Sequence, residues 1–188
     1  MHSAALHLHH LYATAMPDRD GIAELRRQCV DVDNMADLIG PVVRVLATFT
    51  DDGQFYPDPM GEASFLIPVM GEDAETHVDL VAWAARDPEN FGTLLGAAGL
   101  LGADAIVNPA NFRPGPCPIW PHPLSWLIAK CEGAVVLDPE LARVTFAKAP
   151  PAGSFAVDSL DAARELIAFG CVPVDRLLVR QHCDREAA

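Results

Sequence analysis

Prolines set the terms for the middle of this chain. From Asn108 to Asp138 it reads N-P-A-N-F-R-P-G-P-C-P-I-W-P-H-P-L-S-W-L-I-A-K-C-E-G-A-V-V-L-D. Each of Pro109, Pro114, Pro116, Pro118, Pro121 and Pro123 holds φ at about −65° and lacks a backbone donor. The first half of the stretch is therefore expected to be neither a helix nor a central strand. From Pro123 the pattern changes. Leu124, Leu127, Ile128 and Cys131 fall on one helical face, and Gly133 stands where a left-handed stop belongs. Ala134 to Leu137 is then an apolar run of strand length. Loop, short helix and buried strand are predicted in that order, with the fold built around Leu124 to Leu137.

On either side of this stretch the period changes. Asp18 or Asp20 can cap a helix carrying Ile22, Leu25 and Cys29, and Asp33 a second with Met35, Leu38 and Ile39. Val42 to Thr50 alternates with period two, Ala63 to Met70 returns, and Thr76 to Trp83 suggests a third strand, although a helix there also fits. Pro68 implies an edge position or a bulge in the returning strand. Short turns between the three predict an antiparallel meander. Asp87-Pro88 reads as a helix start, with Phe91, Leu94, Leu95 and Ala98 on one face and Gly102 as the stop. Gly92, Gly96 and Gly99 weaken that helix, and close approach of a neighbour is the expected compensation. Ala105 to Val107 and Val144 to Phe146 read as short strands, with a turn from Pro139 to Ala142. Phe155 to Val157 reads as a strand, followed by a helix capped at Asp158 or Ser159 and ended by Gly170. Asp175 is expected to open a last helix containing Leu177 and Leu178. The predicted fold class is α+β: an antiparallel sheet of four to six strands with helices packed mainly on one face.

Hydrophobic residues make up 51% of the 188 residues, enough for the core of a single domain spanning 1–188. Residues 1–16 are expected to form a loosely ordered N-terminal segment and 184–188 a frayed tail. The formal net charge of −13 and the pI near 4.7 argue against direct binding to nucleic acid phosphates, which needs a basic face. Mimicry of DNA toward a basic protein is disfavoured, because no run of five or more acids occurs. The five cysteines are widely spaced and form no C-x-x-C pair, so neither a disulfide framework nor a zinc ribbon is indicated. No signal peptide pattern is seen, and no apolar run approaches the roughly 20 residues of a membrane span. A reduced, cytoplasmic, acidic protein without a membrane partner is expected. Its oligomeric state is not legible.

Four constellations are candidates for chemistry. The N-terminal H-x-H-H places His7 and His9 in a spacing suited to a divalent metal, with Asp79 or His122 as a third ligand. Residues so near a terminus are more often plain surface than ligands. Cys117 and His122 could pair as thiolate and base, but no catalytic signature surrounds them. Asp138 ends a predicted strand and, beside Asp79, could hold Mg²⁺; followed by Pro139 it reads better as a turn. No G-x-G-x-x-G, P-loop, G-x-S-x-G or H-E-x-x-H is present.

The fourth candidate is the loop itself. From Asn108 to His122 it is long for a structureless connection, which favours function. Asn108, Asn111, Arg113 and His122 offer polar contacts and Trp120 an apolar anchor, a mixture suited to a protein partner. The plain alternative is that Trp120 folds back over the core. The expected function is an accessory protein that binds a protein partner through the 108–122 loop. The alternative is a metal-dependent hydrolase using the N-terminal H-x-H-H and an acidic residue.

Overall fold

The computed structural model describes Tyr12, residues 19–40 and residues 42–180. Helices α1 (Arg19–Arg27) and α2 (Val32–Ile39) come first. The cap of α2 is Asp31, two residues before the expected Asp33, and its carboxylate accepts from Asn34 N.

Strands β1 (Val43–Phe49), β2 (Phe55–Pro57), β3 (Glu62–Met70), β4 (His77–Ala84) and β5 (Phe91–Thr93) form an antiparallel sheet in the order β2-β1-β3-β4-β5. The expected antiparallel sheet in an α+β fold is thus present. Side chains alternate across it. Phe65, Ile67, Val81 and Trp83 face one way, into a core shared with Leu25, Met35 and Val135. Leu66, Leu80 and Ala82 face the other way, meeting Val43, Ala47 and Phe55. Being buried on both faces, β3 and β4 read as nearly continuous apolar runs. Pro68 lies in the middle strand of this sheet, not at an edge, and the bulge falls beside it between Val69 and Met70.

The sheet curls until its ends meet. Gln54 bridges Thr93, whose N–H donates to Gly53 O at 3.0 Å. Glycine is needed at position 92, because a Cβ there would lie 2.8 Å from the Gln54 carbonyl carbon. This closure overturns the helix expected after Asp87-Pro88. Close approach was the right account of its glycines, but the segment pairs as a strand instead.

A second sheet follows, built from β6 (Leu100–Leu101), β7 (Cys117–Trp120), β8 (Ala134–Val136), β9 (Phe155–Val157) and β10 (Leu177–Val179). Its order is β10-β9-β7-β8-β6, with every pairing parallel except β6 against β8. Helix α3 (Ala103–Val107) precedes β7, α4 (Pro123–Ile128) joins β7 to β8, α5 (Pro139–Phe146) joins β8 to β9, and α6 (Leu160–Ala168) joins β9 to β10. Residues of α4 pack toward the first sheet, whereas α5 and α6 pack on the opposite face. The unit is doubly wound around β7.

Several expectations fail in this second sheet. Ala105 to Val107 and Val144 to Phe146 are helical, and Asp175 begins only a 3-10 turn (Val174–Arg176) that leads into β10. Short apolar runs carry no decisive period, so tertiary pairing decides them. The larger failure concerns the prolines. Residues 108–122 hold a 3-10 turn (Pro109–Phe112) and then β7, the middle strand of the sheet. Cys117 N donates toward β9, to Ser154 O at 2.8 Å, so Pro118 turns its nitrogen toward β8. Pairing with β8 begins only at Ile119 and Ala134, so the missing N–H of Pro118 breaks no ladder bond.

One buried carboxyl group ties the two sheets together. Asp79 of β4 is 0% exposed, and its carboxylate accepts from the backbone N–H groups of Leu80 (2.8 Å), Leu95 (3.0 Å) and Ala97 (2.8 Å). The Leu95–Ala97 segment runs from the first sheet directly into β6 of the second. Replacing Asp79 with Ala leaves these amides without their acceptor at a buried site and is expected to cost about 3 kcal/mol or more. Urea denaturation checks this, and Asp79→Asn, which keeps an acceptor oxygen, is expected to lose less.

Candidate functional site

Alternation along β7 decides what each side chain meets. Cys117 and Ile119 enter the core beneath α5 and α6, while Pro118 and Trp120 point to the opposite face. On β9 and β10, Ala156 and Leu178 share that second face. Helix α4 and the first sheet cover its β8 side. Across β7, β9 and β10 an open trough of about 890 Å³ remains. Its walls are Ala110, Asn111 and Pro114–Pro116 on one side and Cys131–Gly133 on the other. Leu178 is 50% exposed within it.

At one end of the trough stands a stack of charge and ring. The Arg180 guanidinium lies 3.9 Å from the centre of the Trp120 ring, a cation–π contact worth about 1 kcal/mol or more when partly shielded. Arg180 also pairs with Asp158 at 2.8 Å and reaches Ile119 O at 3.4 Å. Beneath it, the Trp120 indole N–H donates to Glu132 O at 2.7 Å. Trp120 is therefore half-buried: it is neither a free anchor nor a simple cover. It separates the trough from a second cavity at the strand ends, and lines both.

The expected binding residues divide. Asn111 and Trp120 come together at the trough, where Asn111 Nδ2 donates to Ala105 O at 3.4 Å. Asn108 caps the 3-10 turn by accepting from Ala110 N at 3.0 Å, and Arg113 is exposed at the end of that turn. His122 sits at the far end of β7 and caps α4, its Nδ1 accepting from Ser125 N at 3.2 Å. Burial holds its pKa below the usual histidine value, against the opposing pull of Glu89, Asp158 and Asp87. A neutral imidazole is the form that can accept this bond.

The catalytic and metal candidates do not converge. Cys117 and His122 lie at opposite ends of one strand. Burial, reinforced by Asp104, pushes the Cys117 thiol up to about 12, and Cys131 likewise. Asp138 caps α5 by accepting from Glu140 N (2.8 Å) and Leu141 N (3.1 Å); the turn expected from Pro139 to Ala142 is instead the first part of this helix. Asp79 is occupied by three backbone amides. His7 and His9 lie outside the described residues. Among the described residues, no group of three or more His, Cys, Asp or Glu is placed to hold a metal ion.

Sequence reasoning missed Arg180, Asp158 and Glu132. Asp158 reads in the sequence as a helix cap, and nothing local marks Arg180 or Glu132. Only the parallel pairing of β9 with β10 places Asp158 and Arg180 side by side, with Arg180 N donating to Val157 O at 2.7 Å. Family models, curated proteins and solved structures were all compared with this chain, and nothing matches it.

The two raised thiols make a direct prediction. In native protein at pH 8, iodoacetamide is expected to modify exposed Cys29 while sparing Cys117 and Cys131, which react only after denaturation. Peptide mass spectrometry checks this; rapid native labelling of Cys117 would contradict its placement.

Proposed function

We propose that this protein is an accessory protein that holds an extended segment of a protein partner in the trough beside the proline-rich loop. The observation that carries this reading is the trough itself. It is a long, open depression of about 890 Å³, floored by an uncovered sheet face and walled by conformationally restricted prolines. Restricted walls lose little entropy when a ligand binds, which favours affinity. Beside it runs β10. Among the described residues nothing pairs with its outer edge, so an extended segment can add main-chain hydrogen bonds there.

The trough also suggests the chemistry of its partner. Asp104 and Glu132 place acids on its walls, and its one basic residue, Arg180, is already paired with Asp158. A segment carrying Lys or Arg between apolar residues complements this surface, and the net charge of −13 favours its approach. The reading includes a cytoplasmic setting, which the free cysteines Cys29, Cys117, Cys131 and Cys171 support.

Panning the full chain against a displayed library of short peptides tests the proposal. Basic, apolar, extended sequences are expected to be enriched. Leu178→Lys, an exposed substitution in the trough floor, is expected to weaken their binding by about tenfold without shifting the melting temperature. Failure to enrich any peptide, or unchanged binding by the Leu178→Lys variant, would overturn it.

A further inference from the structure

On the other side of Trp120 lies a smaller and more apolar cavity of about 310 Å³. Its position follows from the winding of the parallel sheet. After β7 the chain passes to α4 on one face, while after the neighbouring strand β9 it passes to α6 on the other. Adjacent strands whose connections leave on opposite faces open a crevice at their carboxyl ends, where open α/β sheets bind ligands. The cavity occupies that place, lined by Trp120 at the end of β7, Pro121 after it, and Asp158 and Ser159 after β9.

The lining is mostly apolar. Phe91 arrives from the first sheet, Val136 from β8, and Phe169 follows the end of α6. Its charge is of one sign. Asp158 and Glu165 line the cavity, and no Lys or Arg does. Asp158 is met by Arg180 from the trough side, whereas the Glu165 carboxylate has no partner among the described residues. The N-terminal turn of α6 would attract an anion, but Asp158 and Asp161 already place carboxylates there. An anionic ligand would meet like charge.

We propose that this crevice binds a small amphiphilic amine, its apolar body held between Trp120, Val136 and Phe169 and its ammonium group held by Glu165. The volume suits a single aromatic ring or a branched aliphatic chain, at the lower end of the range for small-molecule sites. Aromatic walls beside a carboxylate suit an ammonium group twice over, through ring faces and through charge. This site is separate from the trough, so the two readings stand or fall independently.

The test uses the full chain with phenethylamine as probe, and phenylacetate and 2-phenylethanol as the anionic and neutral counterparts. Binding is followed by amide chemical-shift changes in two-dimensional NMR. Phenethylamine is expected to bind in the millimolar range or tighter, shifting the amides of Ala162, Glu165 and Phe169, with phenylethanol weaker and phenylacetate weakest. Glu165→Gln, an exposed change that leaves the fold intact, is expected to weaken the amine by about three- to fivefold and to leave phenylethanol unchanged. Ala162→Leu, which fills the cavity, is expected to abolish binding of both. Phenylacetate binding as well as the amine, an unaltered Glu165→Gln variant, or no shift with any of the three probes would each overturn the proposal. Leu178→Lys is expected to bind phenethylamine normally, which separates this outcome from failure of the trough.

Discussion

The carboxylate of Asp79 is the constraint on which the arrangement of the two sheets depends. A buried carboxyl group is tolerated only when its oxygens are hydrogen-bonded, and here three backbone N–H groups bond them. Two of those amides belong to the segment that leaves the curled antiparallel sheet and enters the parallel one. The bonds therefore do more than satisfy Asp79. They set the direction in which β6 starts, and with it the placement of the second sheet against the first. A second tie, from Lys148 and Thr145 to Glu72, joins the end of α5 to the turn after β3. Being exposed, it contributes little next to the buried one.

Two kinds of sheet meet across one core, and each solves the problem of its edges differently. The antiparallel sheet curls until Gln54 and Thr93 meet, leaving little free edge. The parallel sheet cannot do this. Helices α5 and α6 pack on one face, while on the other α4 and the first sheet cover the β8 side, so β7, β9 and β10 keep an open surface there. The trough is the geometric result. The crevice beyond Trp120 has a different origin, in the reversal of winding at β7. Trp120 belongs to both because it is the last residue of the strand around which the winding reverses.

Much of the first sheet was legible in the sequence. Alternation in Val42 to Thr50 marks β1, because a half-buried strand imposes a period of two, whereas β2 (Phe55–Pro57) is too short to carry one. In the stretch from Leu124 to Leu137 the strand lies where expected, but the helix is shorter than the pattern implies: it ends at Ile128, which is exposed, and Lys130 and Cys131 take positive φ before Gly133 does. The second sheet was far less legible. Its strands are short, and a three-residue strand such as β10 carries no period that distinguishes it from a helical turn. Pro118 argued against a central strand by a rule that assumes both neighbours pair along its full length. Here they pair in succession.

Local chemistry by itself determined much of where this chain caps and stops: Asp138 and Ser159 at helix starts, Gly170 beyond a helix end, Asn108 at the 3-10 turn. Each of these acts on backbone groups within a few residues, so the sequence carries the whole interaction. Tertiary structure alone decided what the proline-rich stretch is for. Asn111 and Trp120 meet Leu178, Arg180 and Asp158 only because β7, β9 and β10 lie side by side, and that adjacency comes from crossover connections spanning α5 and α6. No local signal records such an adjacency, because the interactions that enforce it are burial and strand pairing between residues far apart in the chain.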